Sequence, residues 1–455
     1  MLAAGRRGGT MDKNTAEKIL IYARSHKADA AEVFLRSYSS TSIEIKDQKV
    51  DAFDRAKDIG AGLRLLVGSR MGLAFTTDLS DSSLKTLAQA AVTNAQNTEP
   101  DPFHSLPDKP ARPYQRANIF DAEIVTLGEK EKIERVMAME REAYAVDSRI
   151  KRIRKASATF SDVDTVIMNT NGAVSSYQST ACSASIEVVA EDNGEAQAGS
   201  DFDVNRFYKK LRIEAVGRKA AQNALDLLGA RHINSIKAPV ILESTVAQEF
   251  LSMMASGFSA ESVQKKRSLF IGKLGQEVAS PVVTVFDDGL LEGGLGTAPS
   301  DDETVPMTKK TVIDGGRLAL FLHNTYTANK GKTVSTGNGM RGGFKGILGV
   351  GVTNLYIDPG THTVEDLVKS VDKGIYVTEV MGMHTANPIS GDFSVGATGF
   401  WIEKGKKAYP VREITLAGNI LDLMKHVDAV GSDLRFSGKI GSPSLRIKEI
   451  SIGGK

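Results

Sequence analysis

Residues 374–433, GIYVTEVMGMHTANPISGDFSVGATGFWIEKGKKAYPVREITLAGNILDLMKHVDAVGSD, hold the densest local order in the chain and decide how it folds. Ile375 to Val380 is a run rich in β-branched residues, bounded by Gly374 and Gly382. The polar loop Met383-His384-Thr385-Ala386-Asn387-Pro388 carries it on to Ser390-Gly391-Asp392. Beyond the loop, Phe393, Val395, Ala397 and Trp401 fall on one face of a second strand. Lys404-Gly405 suits a tight hairpin, and Val411 to Leu416 returns. Asn419 is placed to cap a helix whose Ile420, Leu423, Met424 and Val427 follow the i, i+3, i+4, i+7 stripe.

Four pieces of this region carry a family resemblance. They are Ser390-Gly391-Asp392-Phe393-Ser394, Gly399-Phe400-Trp401-Ile402-Glu403, Tyr409-Pro410-Val411 and Thr415-Leu416-Ala417-Gly418-Asn419. Together they resemble the C-terminal domain of the TldD/PmbA family, and the PmbA (TldE) branch in particular. The order of segments extends the likeness from about Asn14 to Lys455.

Outward from that region, composition sets the bounds. At 455 residues the chain exceeds the ~100–200 of one domain, so two or three domains are expected. A hydrophobic share of 41%, a charged share of 25% and a net charge of +2 favour neither nucleic acid nor an anionic membrane as partner. Cys182 is the only cysteine, which excludes an internal disulfide framework and a Cys-rich metal site and fits a reducing cytoplasm. No 18-residue apolar run suggests a membrane span. The opening MLAAGRRGGT lacks the apolar core of a signal peptide, and Met11 is an alternative start.

In chain order, Asn14 and Glu17 have capping-box spacing ahead of a helix with Ala16, Ile19, Leu20 and Ala23 on one face. Glu32–Tyr38 and Ser42–Lys46 read as paired strands, and Ala61–Val67 with Met71–Thr76 as a hairpin across Gly68-Ser69. A helix over Ser82–Gln96 follows. Residues 97–118 contain Pro100, Pro102, Pro107, Pro110 and Pro113, which deny helix and ladder hydrogen bonds and mark a linker or extended strap. Next come a helix from about Glu129 to Ala145, a meander turning at Asn171-Gly172 and Asn193-Gly194, and a helix around Leu211–Leu228. The strand Pro239-Val240-Ile241-Leu242 leads into a helix from Ser244 to Gly257. The expected domains are 12–98, an N-terminal α/β unit; 119–230, a middle α+β unit; and 235–455, of the TldD/PmbA type. The fold class is α+β, with mostly antiparallel or mixed sheets and packed helices.

Several motifs have plain structural readings. Gly337-Asn338-Gly339-Met340-Arg341-Gly342 satisfies G-x-G-x-x-G, but no helix follows to receive a phosphate, so close backbone approach explains the glycines better. Arg149-Ile150-Lys151-Arg152-Ile153-Arg154-Lys155 lacks interleaved aromatics and reads as an exposed edge guarded by charge rather than a nucleic-acid patch. Asp287-Asp288-Gly289 reads as a turn.

Metal and nucleophile chemistry decide the functional reading. The histidines at 26, 104, 232, 323, 362, 384 and 426 are spaced too widely for two to share a helix face, as a helical zinc site requires. In the TldD branch the resemblance implies a His-Glu-x-x-x-His helix after a short apolar strand, with a C-terminal cysteine as a further ligand. The matching positions here are Glu243, Ser244 and Gln248, and Ser437 stands near the place of the cysteine. No metal or other cofactor is therefore expected. His384, Asn387, Ser390 and Asp392 share one loop and form a candidate peptide-cavity element. Adjacency alone supplies neither a presented nucleophile nor oxyanion donors, so side-chain-capped turns are the simpler reading.

The resemblance implies a PmbA/TldE-like subunit, inactive alone, that pairs with a TldD-like zinc subunit and encloses unfolded peptide. The alternatives are a non-catalytic homodimeric peptide-binding or scaffold protein and an independent hydrolase using the His384–Asp392 loop. Strands 375–380 and 395–402 are expected to offer a sheet edge to an extended peptide, hidden inside a dimer or heterodimer.

Overall fold

The computed structural model of the chain describes residues 11–455; the segment MLAAGRRGGT, read above for signal-peptide character, lies outside them. The first unit is built on α1 (Lys13–Ser25), β1 (Ala30–Lys46), β2 (Lys49–Val67), β3 (Arg70–Thr76) and α2 (Asp81–Gln96). It continues with α3 (Ala122–Thr126), α4 (Glu129–Tyr144), β4 (Ile150–Asn169), β5 (Val174–Asp192), β6 (Glu195–Asn205) and α5 (Ile213–Asp226). Its strands form one antiparallel sheet in the order β3-β2-β1-β4-β5-β6. The segments on either side of the proline-rich stretch thus share a sheet through β1 and β4.

Strand alternation explains how this sheet is covered. Val33, Leu35, Ile43 and Ile45 point to one face of β1, where α1 and α2 cover one end and α4 and α5 the other. Glu32, Phe34 and Arg36 point to the opposite face, toward the C-terminal unit. On β2, Gly60 and Gly62 lie on that face, and a Cβ on either would run into Phe344 at 2.4 or 2.3 Å, so the glycines admit a close approach.

Two local expectations change. Asp12, not Asn14, caps α1, its side chain accepting from the Asn14 amide, because the chain turns helical two residues earlier. Glu32–Tyr38 and Ser42–Lys46 are one continuous strand, since Ser39–Thr41 pair with β2 on one side and β4 on the other. The basic run begins β4, beyond the last β1 pair at Ile45–Ala156. It is charged along an unpaired margin, with Arg152 and Arg154 bonded to Glu191 and Glu187 on β5. The strap at 97–118 bridges the units: Tyr114 Oη donates to the Thr304 carbonyl at 2.9 Å, and Tyr326 Oη donates to Asp101 at 2.8 Å.

The C-terminal unit begins with β7 (Ile236–Leu242), α6 (Ser244–Ala255), α7 (Ala260–Gln264), β8 (Val285–Asp288), β9 (Lys309–Asp314), β10 (Arg317–Leu318) and α8 (Thr325–Lys330). After β11 (Gly339–Met340), β12 (Gly349–Val350), β13 (Leu355–Ile357) and α9 (Val364–Lys369) come β14 (Lys373–Met381), β15 (Asp392–Glu403), β16 (Lys406–Asn419) and α10 (Ile420–Lys425). The chain ends with β17 (Val427–Val430), β18 (Arg435–Ser437), β19 (Ile440–Ser442) and β20 (Leu445–Gly453). One mixed sheet runs β16-β15-β14-β7-β20-β17 and closes on itself where β16 also pairs with β20; a second runs β10-β9-β8-β13-β19-β18. Buried between them, α6 contributes Val246, Phe250, Leu251 and Met254 to a core drawn from both sheets, which is why its sequence is apolar on most sides. The fold is α+β, with antiparallel and mixed sheets.

This topology closes most of the expected peptide edge. β15 lies between β14 and β16, and β14 pairs with β7 over residues 375–377; beyond Val377 only its β15 side is paired. Asp287-Asp288-Gly289 turns only at its end: Asp287 lies within β8, fully buried, accepting from Asn338 Nδ2 at 2.9 Å and pairing with Lys310 Nζ at 3.0 Å, while Asp288 closes the strand and accepts from the Leu290 amide. Val427 starts a strand instead of extending the α10 stripe. Among the described residues no helix is long and apolar enough to cross a membrane.

Candidate functional site

The β7–α6 junction is where sequence and fold converge. Ile241 and Leu242 are fully or almost fully buried and fix the strand; Glu243 N then donates to the Val377 carbonyl, and the Glu243 carbonyl accepts from Ala247 to start α6. Glu243 occupies the N-cap in extended backbone, but its carboxylate makes no cap bond. It lines a cleft of about 260 Å³ formed by β6 and α5 of the first unit and by α6, β14, β15, β16 and β18 of the second. Ser244 and Gln248 are buried away from solvent. Gln248 Nε2 donates to the Arg435 carbonyl on β18 at 2.7 Å, two residues before Ser437, and its Oε1 has no partner.

The cleft mixes charge with aromatic walls. Burial raises the Glu243 carboxyl above the usual glutamate range, against the pull of Lys219, Lys407 and Arg435. Burial also raises Glu249 and Glu379; the Glu379 charge adds to the shift of Glu249, and Glu187 to that of Glu379. The Lys407 ammonium is depressed by burial, partly restored by Glu243, and its Nζ lies 3.3 Å from the centroid of the Tyr376 ring. The Tyr376 phenol is raised by burial and then by Glu243. Arg435 is engaged elsewhere, donating to Asp201 at 2.8 Å and to the Phe202 carbonyl at 2.7 Å.

The 383–392 loop is arranged differently. Ser390 Oγ donates to Asp392 Oδ2 at 2.7 Å, and Asn419 Nδ2 donates to both the Ser390 carbonyl and Asp392 Oδ1 at 2.9 Å. Asn387 Oδ1 accepts from the amides of Ile389 and Ser390, and Gly391 takes a positive φ of 86°, the geometry of linked side-chain-capped turns. The Asn419 and Ser390 hydrogen bonds lower the Asp392 pKa. His384 stands apart from this network and lines a shallow recess with Glu249, Met253 and Met383. The structure therefore gathers Asn387, Ser390 and Asp392 around Asn419, with the serine hydroxyl directed to the acid and no imidazole beside it.

The residues at the junction do not fit the zinc that the TldD-type motif would hold. Gln248 is tied to a backbone carbonyl, Ser244 is a hydroxyl without a base, and Glu243 feels the cations Lys219, Lys407 and Arg435 against the single acid Asp433. Among the described residues no group of three or more His, Cys, Asp and Glu is placed to hold a metal ion. Cys182 is buried in β5, and burial pushes its thiol up to about 12, so it is a core residue and not a nucleophile. The glycine-rich segment packs backbone tightly: a Cβ on Gly339 would meet Asp301 and Glu303 at 3.0 Å. Lys219, Glu249, Tyr376, Glu379 and Lys407 escaped the sequence reading, because only the closed sheet and the first unit bring them to one recess.

Three family models match the chain consecutively: PmbA/TldA metallopeptidase domain 1 at residues 31–95, the central domain at 123–228 and the C-terminal domain at 235–454. The chain is 30% identical over 432 residues to the metalloprotease PmbA of Escherichia coli O157:H7, covering 95% of this chain and 94% of that protein. It is 28% identical to a metalloprotease TldD homolog of Haemophilus influenzae, with 94% of each chain covered. A solved structure from Thermotoga maritima, described as a candidate modulator of a DNA gyrase, superposes with a TM-score of 0.90 at 29% identity, over 97% of this chain and all of that one. By the three successive domain matches and the full-length likeness, this chain belongs to the PmbA/TldD metallopeptidase family.

Proposed function

We propose that this chain is the PmbA/TldE-like subunit of a two-chain peptidase. In this reading it pairs with a TldD-like zinc subunit, helps enclose unfolded peptide and supplies no zinc ligands of its own. The observation that carries the reading is the β7–α6 junction: the residues that the family resemblance sets at the metal helix are Glu243, Ser244 and Gln248, and Gln248 is committed to the Arg435 carbonyl. PmbA-named and TldD-named relatives of nearly full length both exist, which supports a paired system. The bonding of Ser390 to Asp392, away from any imidazole, speaks against an independent hydrolase at that loop. The names that mention DNA gyrase find no support in the basic run, whose Arg152, Arg154 and Lys155 pair with acids on neighbouring strands. Co-expression with a TldD-like chain, followed by native mass measurement, tests the proposal. A one-to-one complex is expected; a homodimer that ignores the TldD-like chain would instead mark a scaffold.

A further inference from the structure

The cleft between the two units is lined by charges of both signs that join no salt bridge among the described residues. Lys219 and Lys407 stand near Glu243 at one end, and Glu249 and Glu379 near each other at the opposite end. Among the described residues none of these five joins an ion pair or a side-chain hydrogen bond, and only burial and through-space charge act on Glu243, Glu249, Glu379 and Lys407. Their neighbours are paired: Arg435 with Asp201, Glu187 with Arg154, and Asp226 with Gln222. Glu243 is half-buried and the other four are exposed at the mouth of the cleft, so a ligand carrying both signs can pair with both ends.

The spacing gives the size of the ligand. Lys407 lies over Tyr376, and Glu379 is three residues further along β14 with a bulge between them, so the two ends are ~7 Å apart at about 3.3 Å per ladder step. On α6 the six residues from Glu243 to Glu249 span ~9 Å at about 1.5 Å per residue. An extended peptide covers ~3.3–3.6 Å per residue, so a chain of about two to three residues matches these spans.

We propose that this cleft binds a short peptide of about two to three residues by its two free ends, the carboxylate at Lys219 and Lys407 and the ammonium at Glu249 and Glu379. Tyr376 and Phe400 form an apolar wall between the ends. The proposal rests on the peptide-handling role argued above and gives the cleft to cleaved fragments, because the interior of a long substrate carries neither terminal charge.

Calorimetric titration of the full chain, without any partner, tests it with tri-alanine, N-acetyl-tri-alanine and tri-alanine amide. Tri-alanine should bind, and each cap should weaken binding by roughly tenfold or more, the loss of one charge-assisted contact. In Lys219→Met/Lys407→Met the amide should lose its penalty while the acetyl penalty persists, and Glu249→Gln/Glu379→Gln should do the reverse. Equal binding of all three peptides by the unaltered chain, or no binding at about 10 mM, overturns the proposal whether or not the variants fold. Since neither partner nor cleavage enters this assay, its failure is separable from failure of the two-chain reading.

Discussion

Two groups of inward charge lie where the units of this chain meet, and they are handled in opposite ways. At the seam beside Phe344, Arg64 donates to Glu32 at 3.1 Å and to Glu303 at 3.2 Å, Arg341 pairs with Glu32, and Glu303 also accepts from the Thr325 amide. In the cleft at the β7–α6 junction, Glu243, Glu249, Glu379, Lys219 and Lys407 have no such partners. The seam group is drawn from water and paired, whereas in the cleft Glu243 is half-buried and the other four side chains stay exposed without partners. A fully paired set holds two units in register, whereas an unpaired set in a recess is poised for something that arrives later.

The sharpest way to break this contrast is to unpair the seam. Arg64→Met leaves Glu303 buried without its cation and Glu32 with Arg341 alone, and should cost about 3–5 kcal/mol in urea unfolding. The double variant Arg64→Met/Glu303→Gln should recover much of that loss, since it removes the uncompensated carboxylate while Glu32 keeps Arg341. A single variant as stable as the parent would mean the network contributes little to holding the units together.

A smaller effect of opposite sign is expected in the cleft. Glu243→Gln should raise stability at pH 7 by up to about 1 kcal/mol, because it removes a carboxylate that burial disfavours. The folded-state pKa of Glu243 is raised, so its contribution is most favourable below the ordinary glutamate value and is lost as pH rises through the folded value. Thermal melts between pH 4 and pH 8 should therefore show the variant's advantage growing with pH. An advantage that shrinks with pH would reverse the assigned shift.

The least effect on activity is expected at the 383–392 loop. His384→Ala and Ser390→Ala should leave peptide turnover by a reconstituted pair largely intact, with about 1 kcal/mol of stability lost at Ser390 through its bond to Asp392. A drop of ~1000-fold for Ser390→Ala with folding unchanged would restore the hydrolase reading.

Local chemistry was legible in the sequence; closure was not. Gly68-Ser69, Asn171-Gly172, Asn193-Gly194 and Lys404-Gly405 all turn the chain between antiparallel strands, with Asn193 and Lys404 at positive φ, because turn geometry is set by adjacent residues. The Ser244 helix and the Asn419 cap were legible for the same reason. Interior status of β14 and β15 was hidden, since it depends on β7, more than 130 residues upstream of β14, and on β16 meeting β20. Asp287 looked like a turn residue because Lys310, Asn338 and Thr353 reach it only in the fold. For the site, the Glu243 position followed from a strand–helix junction together with the family resemblance. Lys219, Lys407 and Glu379 carried no local signal, being ordinary charged residues until the units close around them.

The central claim is that this chain brings a peptide-binding half to a zinc enzyme whose metal lies on another chain. Elemental analysis of zinc in the separated chain and in its complex with a TldD-like partner, after dialysis against a weak chelator, tests it directly. We predict no stoichiometric zinc on this chain alone and about one zinc per two-chain complex. About one zinc per chain in the isolated protein would contradict the account.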